Sequence, residues 1–278
     1  MFEDLLRDGD LSKTLAELQG RVRKDPSNAK LRTFLFQLLS VEGNWDRALT
    51  QLKVVGDLEA TSLAMVQTYR EALQCEALRT AVFAGERSPL LFGEPERWMA
   101  LLLEALRLGS HGAVAQSQAV RAEAFDLAPS STGSIEGAGF DTQNFTWLAD
   151  ADSRLGPMIE AIINGRYYWL PLNRLKQIDI EAPEDLRDVV WLPAHLTLTT
   201  GGETVALLPT RYPGSEIAED PALRLARRTE WTDQGEDLFV GLGQRMFTAD
   251  TGDYSIMDVR RIVLDAPPDA VTDAPPDA

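Results

Sequence analysis

The sequence predicts an α+β chain, helices first and a small sheet after, on three observations. A helical motif repeats in the first half. From Asn164 onward the texture turns aromatic and β-branched. A Gly-Gly pair then stands between two alternating segments, HLTLTTGGETVALLP. The repeat carries most weight. GDLSKTL at Gly9–Leu15 returns as GNWDRAL at Gly43–Leu49, 34 residues on, and Phe2, Leu5, Leu15 and Leu18 fall on Phe36, Leu39, Leu49 and Leu52. That is the period of tetratricopeptide helix pairs, which bury their apolar faces only by stacking. Pro26 lies 17 residues after Gly9, and Pro129 lies 17 after Gly112. The step from Gly43 to Gly112 is 69 residues, two periods plus one, and the unit around Ala77 lacks the glycine. The predicted architecture is therefore an N-terminal tetratricopeptide-like α-solenoid over residues 1–128, then a linker or exposed loop at 129–140. An α+β domain with a small, mostly antiparallel sheet or partial barrel follows at 141–264, and a Pro/Asp tail at 265–278.

Each element has its own reason. Residues 1–24 read as a helical pair hinged at Asp8-Gly9-Asp10, and Pro26-Ser27-Asn28 makes the next turn. Leu31, Phe34, Leu35, Leu38 and Leu39 recur at helical intervals between Lys30 and Ser40. Asp46–Val55 is the partner helix, with Ala48, Leu49 and Leu52 inward. A long helix is expected over Ala60–Ala84, ending at Gly85. Pro89, Gly93 and Pro95 break the chain before a last pair, Glu96–Leu108 and Ala113–Leu127, in which Trp98 is a packing anchor. APSSTGSIEGAG, Ala128–Gly139, is small and polar, the mark of a linker. Asp152–Ala161 is expected to hold a short helix. Asn164-Gly165 turns into the strand RYYWLPL. Leu175–Ile180 and Val189–Leu192 are further strands, with a helical turn at Pro183–Arg187 between them. Gly201-Gly202 suits a two-residue hairpin turn. Pairing outward from it sets Leu198 against Val205 and Leu196 against Leu207. Leu223–Trp231, Leu238–Thr248 and Tyr254–Val263 complete the strands. DAPPDA, at Asp265–Ala270 and again at Asp273–Ala278, cannot build a core and is expected to be disordered and polyproline-like.

Composition narrows the function. The apolar share, 44%, is ordinary for a globular protein, so a proper core can form. The single cysteine, Cys75, cannot form an internal disulfide and fits a reducing compartment. No apolar run approaches the roughly 20 residues that span a bilayer, and the acids at Glu3 and Asp4 speak against a secretory signal. A soluble, cytoplasmic protein is expected. The formal charge of −16 falls mostly on the second half: residues 1–128 carry 15 basic and 18 acidic side chains, residues 129–278 carry 12 and 25. Such acidity repels nucleic-acid phosphates and anionic lipid, so neither nucleic acid nor membrane is an expected partner.

Catalytic motifs are sparse. The two histidines, His111 and His195, have no Cys or His at metal-ligand spacing, so no metal is expected. There is no GxSxG elbow and no GxxxxGK loop, and Gly241-Leu242-Gly243 lacks the third glycine of a dinucleotide fingerprint. No cofactor is expected. The one constellation with chemical potential is ADADSRLGP, Ala149–Pro157. Asp150 and Asp152, with Glu160 and near Arg154, make a carboxylate cluster suited to acid–base or metal chemistry. Capping explains the same residues: Asp152 or Ser153 caps a helix, and Glu160 is solvated or paired with an arginine.

Several longer stretches carry a family signal. They are LRTFLFQLL (Leu31–Leu39), TYREALQCEALR (Thr68–Arg79), FGEPERWMALLLEAL (Phe92–Leu106) and DSRLGP (Asp152–Pro157). NGRYYWLP (Asn164–Pro171), EAPEDLRDVVWLPA (Glu181–Ala194), LPTRYPGSE (Leu208–Glu216) and GLGQRMF (Gly241–Phe247) continue the series. Over essentially Met1–Leu264 the chain resembles the ImpE/TagJ family, the SciE-type accessory proteins of bacterial type VI secretion; the DAPPDA tail is outside that pattern. The resemblance implies a non-catalytic role: binding the contractile sheath through an N-terminal helix of its small subunit, with the AAA+ ATPase that disassembles spent sheath implicated in some systems.

An adaptor that takes a helix needs a groove with apolar anchors at helical spacing. Projecting the repeat register places Lys30, Thr33 and Gln37 on the concave side of the second unit. The sheet offers Arg166, Tyr168 and Trp169 if one face of their strand is uncovered, since aromatic and arginine side chains are common anchors; strand core is the competing expectation for the two aromatics. The alternatives are an enzyme built on Asp150, Asp152 and Glu160, or a purely structural subunit.

Overall fold

The computed structural model describes residues 9–235 and 238–265. The first half is helical: α1 (Leu11–Lys24), α2 (Ala29–Val41), α3 (Trp45–Leu58), α4 (Leu63–Phe83), α5 (Arg97–Ser110) and α6 (Val114–Leu127). Asp10 and Asn28 start α1 and α2 by accepting the backbone N–H groups of Lys13 and Leu31 at 3.0 and 3.1 Å, satisfying donors that a helix start leaves orphaned. Gly9, Gly43 and Gly112, the repeat landmarks, all take left-handed φ, at +77°, +66° and +82°. The long helix expected over Ala60–Ala84 is α4, preceded by a 3-10 turn at Ala60–Ser62. The first helix expected within residues 1–8, and the tail beyond Asp265, lie outside the described residues.

The second half is mainly strands: β2 (Gly133–Gly137), β3 (Phe140–Phe145), β4 (Leu148–Asp150), β5 (Met158–Ile163), β6 (Arg166–Pro171), β7 (Leu175–Ile180), β8 (Trp191–Leu198) and β9 (Glu203–Pro209). A four-residue helix, α7 (Pro221–Arg224), precedes β10 (Thr229–Asp233), β11 (Phe239–Gly243), β12 (Met246–Ala249), β13 (Gly252–Ser255) and β14 (Val259–Leu264). A short strand from the helical half, β1 (Leu90–Leu91), joins the main sheet, whose nine strands run β1-β6-β5-β9-β8-β7-β14-β2-β3. Among the described residues only the β1–β6 pair of this sheet is parallel. The fold is thus mixed α+β, helices followed by a mostly antiparallel sheet.

Two cores share this sheet. Met158, Ile162, Tyr167, Trp169, Trp191 and Leu207 pack with the helices. Ile159, Ala161, Leu170, Ile178, Leu192 and Leu208 pack on the opposite face with Phe247 and Tyr254, from the small sheet β13-β12-β4. The period-2 alternation of strands sends neighbours to opposite faces, so β5, covered on both sides, is buried at all six positions. Aromatic rings join the layers. Trp191 lies 6.0 Å from both Trp45 and Tyr69, and Tyr69 lies 5.7 Å from Phe36.

The structure corrects several sequence expectations. Asp152–Ala161 is not a helix: residues 151–157 form a turn and Met158–Ile163 is strand β5. Its apolar run is short and β-branched, as fits a strand covered on both faces. The segment 129–140, expected as a linker, supplies β2, which pairs with β14 and buries Ile135 completely. The hairpin register differs too. His195 faces Val205 and Leu196 faces Thr204, because Gly201 alone takes positive φ (+83°) and Gly202 accepts the Leu198 N–H at 2.8 Å. A two-residue turn of type I′ would need both glycines left-handed. The strand expected at Leu223–Trp231 begins only at Thr229, and Leu238–Thr248 is two strands broken after Gly243.

Trp191→Ala removes the ring that meets Trp45 of α3 and Tyr69 of α4. Its unfolding free energy in urea should fall by about 3–5 kcal/mol, the usual cost of deleting a buried large aromatic.

Candidate functional site

The carboxylate cluster read from the sequence exists, and it is internal. Asp150, Asp152 and Glu160 are all buried. Alternation along β5 turns Glu160 toward the helices, beside Met158 and Ile162. There it meets Arg79 of α4, whose Nε and Nη2 donate to its two oxygens at 2.6 and 3.0 Å. Arg245 and the Tyr167 hydroxyl also donate to Glu160. Arg245, itself fully buried, reaches Asp150 and gives its Nε to the Pro209 carbonyl at 2.8 Å. Arg79 further donates to the Arg211 carbonyl at 2.6 Å. Asp150 accepts the Tyr212 hydroxyl at 3.1 Å and the Asp152 N–H at 2.9 Å. Asp152 is closed by Arg154 at 2.6 Å and by the Gly241 N–H at 2.9 Å. Glu76 accepts the Trp191 indole N–H at 2.7 Å.

The network separates two carboxyls electrostatically. Burial alone would raise Glu160, but the charges of Arg79 and Arg245, with hydrogen bonds from Arg79 and Tyr167, hold it down to about 2. Burial pushes Asp150 up to about 6; Arg245 opposes this and the neighbouring Asp152 reinforces it. Burial likewise raises Glu76 against the pull of Arg79. Carboxyls pushed apart in this way occur at acid–base sites and also in structural ion networks. Here every carboxylate oxygen of Asp150, Asp152 and Glu160 already accepts a hydrogen bond. The expected cap is present in altered form: Asp152 accepts the Arg154 N–H at 2.9 Å and closes a turn rather than a helix. Among the described residues no three His, Cys, Asp or Glu side chains are grouped to hold a metal ion.

The six partner-binding candidates fall unevenly. Lys30 and Arg166 are exposed, and Thr33 and Tyr168 are half-buried. Gln37 is buried, because Leu35 to Val41 of α2 are all enclosed and Arg211 donates to the Val41 carbonyl at 2.9 Å. Trp169 is buried as well: it shares a face with Tyr167, packs on Phe83 at 5.6 Å and donates its indole N–H to Tyr167 at 2.7 Å. Gln37 is therefore not on the open concave face projected for it, and Trp169 takes the strand-core place that was the competing expectation. Tyr168 points the other way and meets Phe92 edge-on at 6.2 Å.

An open apolar recess lies beside the network. Between the end of α6 and strand β4 is a cleft of about 360 Å³, lined by Phe125, Ala128, Pro129, Trp147, Leu148, Pro157 and neighbouring small residues. Its walls are apolar rings left in solvent, Phe125 at 39% exposure and Trp147 at 41%. The DSRLGP turn makes the floor, through Ser153, Gly156 and Pro157. Gly156 has φ +51°, and a Cβ there would stand 2.6 Å from the Phe125 ring, so only glycine lets the ring lie against the turn. Sequence reading missed this cleft. DSRLGP was legible as a motif, but Phe125 and Trp147 sit in segments without periodicity.

Comparison with known proteins places this architecture. A model of the ImpE protein family matches residues 142–263. The type VI secretion system accessory component TagJ of Pseudomonas aeruginosa is 53% identical over 260 residues, covering 94% of this chain and 89% of that protein. The crystal structure of protein VPA1032 from Vibrio parahaemolyticus has the same fold, with a TM-score of 0.82 at 22% identity over 95% of this chain and 97% of that one. Fold and site define an α+β protein with an internal ion network and an open apolar cleft. The chain belongs to the ImpE/TagJ family.

Glu160→Gln leaves two buried guanidiniums short of one carboxylate. It should cost about 3–5 kcal/mol in urea unfolding near neutral pH, the range for breaking a buried pair. The pH dependence has a definite sign. Glu160 is held below its ordinary value of 4.5, so its stabilisation is present above that value and lost as pH falls toward about 2. The variant should lack that acid-side loss.

Proposed function

We propose that this chain is a non-catalytic, protein-binding accessory component of a type VI secretion system. In this reading it takes up the N-terminal helix of the small contractile-sheath subunit and links that subunit to the AAA+ ATPase that recycles the sheath. One observation carries the reading: the acidic groups that would serve chemistry are tied to one another inside the protein, while the cleft beside them is apolar and walled by exposed rings. Aromatic surface of that kind serves protein recognition. The name of the Pseudomonas relative, an accessory component of that secretion system, supports it. The helix pairs are read as degenerate tetratricopeptide-like units, supported by the left-handed glycines at their turns. Lys30, Thr33, Arg166 and Tyr168 remain as peripheral contacts. The acidity of the second half favours protein partners over nucleic acid or membrane. No described helix is long and apolar enough to cross a bilayer, and the reading places the protein in the cytoplasm.

The test is a titration of the labelled N-terminal helix of the small sheath subunit into the full chain, followed by anisotropy. Saturable binding is expected; no binding would overturn the reading.

A second reading, an enzyme using Asp150, Asp152 and Glu160, is favoured by one observation: Asp150 borders the cleft and is pushed up to about 6. Replacing Asp150 and Asp152 together by Ala separates the two. The structural role predicts a lowered melting temperature. An enzyme predicts loss of a reaction with melting temperature and helix binding unchanged.

A further inference from the structure

We propose that the Pro-Pro segment beyond Asp265 is an internal cap: its first unit, Ala266–Val271, lies in the cleft between α6 and β4 and shuts it against a protein partner. The competition with a partner rests on the protein-binding reading above; the docking of the segment does not. Three observations support the cap.

The first is where the chain leaves the fold. β14 runs antiparallel to β2, with Leu264 opposite Gly133. Asp265 carries that pairing one step further. Its N–H goes to the Thr132 carbonyl at 2.9 Å, and its carboxylate accepts the Thr132 hydroxyl at 2.8 Å. The residues before Thr132 are Ser131, Ser130 and Pro129, and all three line the cleft. An antiparallel course therefore aims the next residues along that wall. The six residues Ala266–Val271, at about 3.1 Å each in polyproline form, reach roughly 19 Å. That is enough to cross a recess of about 360 Å³.

The second is the match of chemistry. Proline-rich segments dock in aromatic-lined grooves in polyproline form, and Phe125 and Trp147 stand as exposed rings in the walls. With three residues per turn, Pro267 and Ala270 share one edge, and Pro268 and Val271 share a second. Asp269 falls on the third edge, with Ala266 and Thr272. Two apolar edges can meet the rings while Asp269 stays in water.

The third is the lining itself. Among the described lining residues Asp150 alone is ionic, and Arg245 and Tyr212 already engage it. The recess therefore asks its occupant for no counter-ion, and an uncharged contact face suits it. The tether is short, so the effective concentration of the segment is about millimolar, and weak docking is enough to fill the cleft.

The experiment uses the full chain with a bimane dye attached through Ala270→Cys; Cys75 is buried. Contact with a tryptophan ring quenches the dye. Emission should at least double in Trp147→Phe, and also in the double variant Pro267→Ser/Pro268→Ser, whose changes lie beyond β14. Trp231→Phe, on another surface and 42% exposed, should leave emission unchanged. Adding the sheath-subunit helix should raise emission as the cap is displaced. Without the dye, the proline variant should bind that helix at least threefold tighter than the parent, because a docked cap lowers the binding-competent fraction. Melting curves show whether Trp147→Phe folds, and the proline variant decides where it does not. Emission that neither variant moves overturns the proposal. So does quenching that grows with protein concentration, which would seat one copy's segment in another. Helix binding that is equal in the parent and the proline variant, with emission unmoved by the helix, overturns the cap while the protein-binding reading stands. Quenching relieved by both variants, with no helix binding to any form, overturns the sheath assignment and leaves the docked segment supported.

Discussion

Glu160 between Arg79 and Arg245 is the contact on which the two halves of the molecule depend. It stands on a strand covered on both faces, where an unpaired carboxylate would be untenable. Arg79 comes from α4, and Arg245 from the start of the segment that leads into β12. One side chain therefore ties the helical layer, the main sheet and the small sheet. The tie is directional as well as strong. Arg79 engages both Glu160 oxygens, which fixes how α4 lies across β5, and planar guanidinium–carboxylate pairing tolerates little slippage. Apolar packing alone would hold the layers together with less definition of register.

The loop that carries Asp150 and Asp152 extends this network to the surface. Its buried acids close on Arg245, Arg154 and the Gly241 N–H. The same tight turn places Gly156 under the Phe125 ring. Network and cleft are two sides of one turn: the inner side is saturated and fixed, and the outer side presents an apolar recess on a rigid base. A preorganised floor lowers the ordering cost of taking a partner.

Much of the helical half was legible because its signals are local. Leu31, Phe34, Leu35 and Leu38 recur at helical intervals, and glycine turns punctuate the chain at Gly43 and Gly112. The sheet half was harder. The run around Met158–Ile163 has no alternation, since both faces are buried, and the acids before it imitate a helix start. Ile135 looked like one apolar residue in a polar linker until its pairing with β14 gave it a core. Partners far away in sequence decide such positions. The same holds for the site. Asp150, Asp152 and Glu160 could be grouped by sequence, but Arg79 and Arg245 lie 81 and 85 residues from Glu160, and without them a structural network reads as a candidate active site. Tyr168 and Trp169 show the finer limit. Adjacent aromatics on one strand must face opposite ways, so both could not lie on one exposed face.

Hydrogen–deuterium exchange of the full chain, with and without the sheath-subunit helix, tests the central claim most directly. Added protection should concentrate in residues 123–131 and 147–157, which wall and floor the cleft, with β5 already slow to exchange in both states. Protection confined to residues 29–58, or none anywhere at saturating helix, would contradict the account.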